Sequence, residues 1–132
     1  MHRVSFGRFL ISGLISGVLG GLIAVILYLA LSGLLDYKIQ VSGNDLTQLY
    51  IVPIAIASIL PNLIGSIVLF FIRRLNRPIM IYGILALIAA LLNSVFSQTQ
   101  LVEDYRLVAH ILHFVVAILS IVVIPKLATR DK

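Results

Sequence analysis

Residues 9–35 contain neither a charged side chain nor a proline. Wound as an α-helix at ~1.5 Å per residue, such a run is about 40 Å long, enough to cross a hydrocarbon core of about 30 Å with some tilt. Three further apolar runs follow, at about residues 49–72, 79–96 and 105–124. They stop at Arg73 and Arg74, at the polar stretch 97–100, and at Pro125 and Lys126. Without water to satisfy backbone N–H and C=O groups, a chain inside lipid must pair them internally, and apolar runs of this length do so as helices. The predicted fold class is therefore all-α, an integral membrane bundle of four transmembrane helices.

The composition agrees with that reading and excludes others. Of 132 residues, 61% are hydrophobic and 11% charged, against about a quarter charged in an ordinary soluble domain. Four spans and short connections use nearly the whole chain, so residues 1–132 are read as one transmembrane domain with no soluble catalytic unit. The absence of cysteine excludes disulfides, thiolate metal sites and a cysteine nucleophile. A net charge of +5 suggests nucleic acid only when a continuous soluble face carries it. Here the basic residues are scattered over helix ends, and no nucleic-acid partner is predicted.

Lysine and arginine also orient the helices, since cytoplasmic connections retain them. Arg3, Arg8, Arg73, Arg74, Arg77, Lys126, Arg130 and Lys132 fall on one side, leaving only Lys38 and Arg106 on the other. Both termini and the turn at 73–78 are thus expected in the cytoplasm, in a multi-pass protein of the cell membrane. Basic residues ahead of an apolar run also imitate a signal peptide, but a cleavable apolar region spans only about 7–15 residues, so the first helix is read as an uncleaved anchor. The connection at 36–48 is the largest segment outside the membrane. Its alternation at 37–41 gives way to turn residues, and Asp45, with Gln48 three residues on, is expected to cap the second helix.

Small and polar residues inside the spans are the candidates for packing and function. Gly13, Gly17 and Gly21 recur at four-residue steps, and Ser12, Ser16, Gly20 and Ala24 form a second small row beside them. In lipid, helices associate through the close approach that such residues permit. These faces serve either packing within the chain or a dimer seam. In the second run, Pro61 predicts a kink, and Ser58, Asn62 and Ser66 form a polar stripe that either lines a functional surface or satisfies the carbonyls which proline frees. The third helix brings Asn93 toward its outer end. In the fourth, His110 and His113 share a face, ~8 and ~12 Å inside the boundary at a rise of 1.5 Å per residue. His110 and Asn93 are therefore predicted at one depth, and all of these groups are expected to point inward, because polar groups facing lipid are expensive.

No complete site follows from these residues. Two axial haem histidines would have to come from facing helices, and zinc or copper would need three or four ligands that the spans do not supply. No cofactor or metal is predicted. The spans hold no carboxylate for a proton relay or to orient a histidine base, and no catalytic residue is assigned.

In layout the chain resembles a family of small uncharacterised bacterial membrane proteins with four helices, a domain of unknown function. The resemblance rests on the glycine-rich first helix from Gly13 to Ser32, the short loop ahead of Pro53, the Arg73-Arg74 turn and the last helix, LVAHILHFVVAILSIVVIP, ending at Pro125. It covers most of the chain and implies the four-helix fold without an activity. Small multidrug exporters differ in carrying a glutamate in their first helix, and fluoride channels in a Thr-Thr-Phe-Ser break. Two readings remain open. One is a non-enzymatic protein that self-associates or serves a larger membrane complex as a structural or accessory subunit. The other is a small transporter or channel whose polar path is lined by Ser58, Asn62, Ser66, His110 and His113.

Overall fold

A computed structural model describes residues 4–129. His2, Arg3, Arg130, Asp131 and Lys132 lie outside them. The described chain is helical, in the order α1 (Phe6–Leu34), α2 (Ile51–Ala57), α3 (Ile59–Ile72), α4 (Pro78–Gln100) and α5 (Glu103–Thr129). With α2 and α3 taken as one interrupted rod over Ile51–Ile72, four helices are long and apolar enough to cross a membrane. Helix α1 packs between α2/α3 and α5, and α5 also packs on α4. Helix α4 has little contact with α3 and, among the described residues, none with α1. It is the least buried of the four spans.

Each helix begins and ends for a local reason. Helix α1 closes in a Schellman arrangement, with the Tyr37 amide donating to the Ser32 carbonyl at 2.9 Å and Asp36 in the left-handed region at φ 57°. The break between α2 and α3 falls at Ser58, one turn ahead of Pro61. Proline has no N–H to give the carbonyl four residues back, which belongs to Ala57. Pro78 opens α4 at a first-turn position, where a missing N–H loses nothing. Arg77 before it adopts φ 56°.

Three expectations are corrected. Helix α4 does not stop at residue 96 but runs to Gln100, because Ser97 is buried and its hydroxyl donates to the Asn93 carbonyl at 2.9 Å. Helix α5 passes through Pro125 to Thr129, since Ile124 and Ala128 pack fully buried with Phe9, Leu69 and Tyr82. That packing holds the last turn despite the missing amide, and the Arg8 guanidinium donates to the Leu127 carbonyl at 3.4 Å. Asp45 does not cap the second helix. Its carboxylate accepts from the Thr47 hydroxyl and amide at 2.6 and 2.9 Å and from the Gln48 side chain at 3.1 Å, contacts that hold its pKa below the ordinary carboxylate value, the Thr47 hydroxyl contributing most. The Ile51 and Val52 amides donate instead to the carbonyls of Gln40 and Val41, at 3.0 and 3.1 Å.

The connection at 36–50 thus folds down over the bundle end. Tyr28 donates to the Leu49 carbonyl at 3.0 Å, the Tyr37 and Tyr105 rings lie 5.9 Å apart, and the Val102 amide donates to the Thr47 carbonyl at 3.0 Å. One apolar cluster, including Tyr28, Ile54, Tyr105 and Val108, sits beneath it. The cluster around Phe9, Leu69 and Ile124 fills the other end. The small and polar seam lies between them.

Left-handed backbone strains any residue with a Cβ, so Asp36→Gly is expected to stabilise the bundle by about 0.5–1 kcal/mol. A rise in the thermal unfolding midpoint in detergent would register this gain, and a fall would show that the Asp36 side chain itself stabilises the turn.

Candidate functional site

The seam is built where α1 meets α2 and α3 backbone to backbone. A Cβ at Gly17 would stand 2.7 Å from the Ile59 Cα, one at Gly21 would stand 2.6 Å from the Ala55 carbonyl oxygen, and one at Gly13 would stand 2.8 Å from the Asn62 carbonyl oxygen and closer still to Ser66 Oγ. All three lie inside contact distance, so α1 can sit here only because these positions are glycine. The same row touches α2 and α3 on both sides of the break at Ser58. Gly20, one position before Gly21, faces a looser junction, where a Cβ would meet Val116, Asn62 and Ser58 at 3.8–3.9 Å. Ser12, Ser16 and Ala24 of that second row are buried as well. Both small faces are therefore occupied within the chain.

The polar stripe lies in this interface. Asn62 is 1% exposed. Its oxygen accepts from the Ser16 hydroxyl at 2.7 Å, and its amide nitrogen donates to the Ser58 carbonyl at 2.7 Å. Ser58 Oγ donates to the Ile54 carbonyl at 3.3 Å and Ser66 Oγ to the Leu63 carbonyl at 2.7 Å. The stripe thus serves two purposes, satisfying carbonyls around the helix break and, through Asn62, joining α3 to α1.

The histidines belong to a different interface. His113 Nδ1 lies 3.4 Å from Ser94 Oγ, and His110 Nε2 lies 2.6 Å from the Gln98 side-chain amide. Both partners are on α4. His110 Nδ1 is enclosed and has no hydrogen-bond partner among the described residues. The expected convergence of Asn62, Asn93, His110 and His113 does not occur. Asn93 is exposed, because α4 turns Ala90, Ser94 and Ser97 inward at helical spacing, and a position next to Ser94 is rotated about 100° off that face.

One junction had not been read from the sequence. Tyr82 of α4 is buried and hydrogen-bonded to Ser120 of α5, while a Cβ at Gly65 of α3 would lie 2.7 Å from the Tyr82 hydroxyl. A tyrosine in the first turns of one span and a solitary glycine in another were the available signals. Tyr82 of α4 thus touches both α3 and α5, and ties to the bundle the one helix that, among the described residues, α1 does not reach.

Small glycine-lined seams, an internally satisfied polar stripe and spans of membrane length define a small polytopic membrane protein with a helical bundle fold. The chain matches a family of unknown function (DUF6069) over residues 4–132, and it belongs to that family. No curated protein and no solved structure matches it.

The geometry separates the glycines by tolerance. Gly17→Leu is expected to prevent assembly, and Gly17→Ala to cost about 1–3 kcal/mol through overpacking, whereas Gly20→Ala and Ile15→Leu, the latter at an exposed position, leave stability nearly unchanged. Unfolding of the four variants in detergent tests this, and equal midpoints for Gly17→Ala and Gly20→Ala would contradict the seam.

Proposed function

We propose that the chain is a structural or accessory protein of the cell membrane without catalytic activity of its own, with both termini cytoplasmic, acting through association with a partner or with itself. The observation that carries this reading is the use of Asn62. Its amide is engaged by Ser16 and the Ser58 carbonyl, so the stripe best suited to line a polar path closes on α1 instead. The His110 and His113 face meets α4 and does not continue that stripe. Because both small faces of α1 are occupied, the partner surface proposed is on α4, the least buried span. That helix exposes Ile88, Leu92 and Phe96 together with the amide of Asn93, a group that gains from a hydrogen-bonding neighbour in lipid.

The natural absence of cysteine permits a direct test. Asn93→Cys is expected to cross-link in native membranes to a second copy or to another membrane protein, whereas Ile11→Cys, on the exposed face of α1, is not. Equal labelling of the two would remove α4 as the contact surface. Ion flux in proteoliposomes that is abolished by Asn62→Ala or His113→Ala would replace this reading with transport. For the orientation, a cytoplasm-active reporter at Lys132 and a periplasm-active reporter between Ser42 and Asp45 should both give signal.

A further inference from the structure

The last turn of α3 and the residues after it form an open pocket of about 270 Å³ lined by Phe70, Phe71, Arg73 and Arg74. Arg73 is held in a fixed pose there. Its Nη1 donates to the Phe70 carbonyl at 2.8 Å, and its guanidinium carbon stands 3.5 Å from the centre of the Phe70 ring. Of its other donors, Nε is enclosed and has no hydrogen-bond partner among the described residues. Arg74 is exposed beside it. No described carboxylate balances this charge, since Asp36, Asp45, Glu103 and Asp104 all belong to the opposite end of the bundle. A pair of guanidinium groups with free donors recognises phosphate oxygens in preference to a simple halide, because the planar fork matches their geometry.

The aromatic walls narrow the ligand further. Phe71 is 71% exposed at the final turn of a membrane-spanning helix, so its ring faces the boundary between acyl chains and headgroups. A free anion would gain nothing from that surface. A ligand carrying a phosphate and a hydrocarbon chain would gain from both walls, as basic pockets at the ends of spans do with anionic lipids. We infer that Arg73, Arg74, Phe70 and Phe71 form a binding site for the headgroup of an anionic glycerophospholipid.

The test uses the full chain purified in a neutral detergent, with phosphatidylglycerol, phosphatidylcholine or inorganic phosphate added, and reads the unfolding midpoint together with lipid retained in native mass spectrometry. Phosphatidylglycerol is expected to raise the midpoint and remain bound, and the other two to do neither. Arg74→Gln, at an exposed position, should weaken phosphatidylglycerol binding about tenfold, as loss of one charge-assisted contact implies. Arg73→Gln should weaken it at least as much. Arg77→Gln removes a charge at the same end but outside the pocket, and should leave binding within about twofold. An equal loss in Arg77→Gln and Arg74→Gln would overturn the site in favour of diffuse attraction. Equal stabilisation by inorganic phosphate would overturn the lipid assignment, and no response to phosphatidylglycerol would overturn both.

Discussion

Helix α1 lies directly on the backbone of α2 and α3 at Gly17 and Gly21, and on the Asn62 carbonyl and the small Ser66 side chain at Gly13, and the positions of the other helices depend on that contact. In water, two apolar faces associate because water leaves them. In a bilayer the lipid is as apolar as leucine, so helices hold together through close packing and hydrogen bonds. A row of glycines provides the packing. It brings Ser16 within 2.7 Å of Asn62, which provides the hydrogen bond. The two contributions support each other, because neither group could reach the other if a Cβ separated the helices.

Placing α1 against α2/α3 leaves its other side for α5, whose Val116 sits over Gly20. Helix α4 is then attached mainly through α5, by Ser94 with His113 at one level and Tyr82 with Ser120 at another. These polar contacts have different neighbours. They are better described as fastenings between pairs of helices. The peripheral place of α4 follows from the same order of packing, and it accounts for the outward direction of Asn93.

The two ends of the bundle are chemically distinct. One gathers Arg8, Arg73, Arg74, Arg77 and Lys126, and the other holds the described acids and four of the five tyrosines, Tyr28, Tyr37, Tyr50 and Tyr105. At the acidic end the long connection supplies carbonyls to the start of α2 and an amide acceptor at Thr47 for the start of α5, so backbone groups that side-chain caps leave open are satisfied by main chain. At the basic end the connection is a tight turn, with Arg73 folded back on Phe70 and Arg74 exposed beside it. Family membership brings no activity to set beside these features, and the functional reading rests on the geometry of the chain itself.

Much of the fold was legible because it depends on quantities a sequence carries directly. The length of the apolar runs determined four spans. The four-residue spacing of Gly13, Gly17 and Gly21 determined a face able to pack closely, and Pro61 determined that the second span is not a straight rod, the break falling one turn earlier at Ser58. The polar stripe on the second span was legible for the same reason, as Ser58, Asn62 and Ser66 recur at helical intervals. What the tertiary structure decided was which face of each helix meets which neighbour. In a soluble protein, hydrophobic contrast marks the buried face; here the residues facing lipid and those facing the core are both apolar, and Asn93 and Ser94 differ by one position in sequence yet by solvent side in the bundle. The passage of α5 through Pro125 and the capping of α2 by Gln40 and Val41 likewise depend on partners distant along the chain. Local propensity cannot report them, because the groups that outweigh it are brought within reach only once the helices have packed.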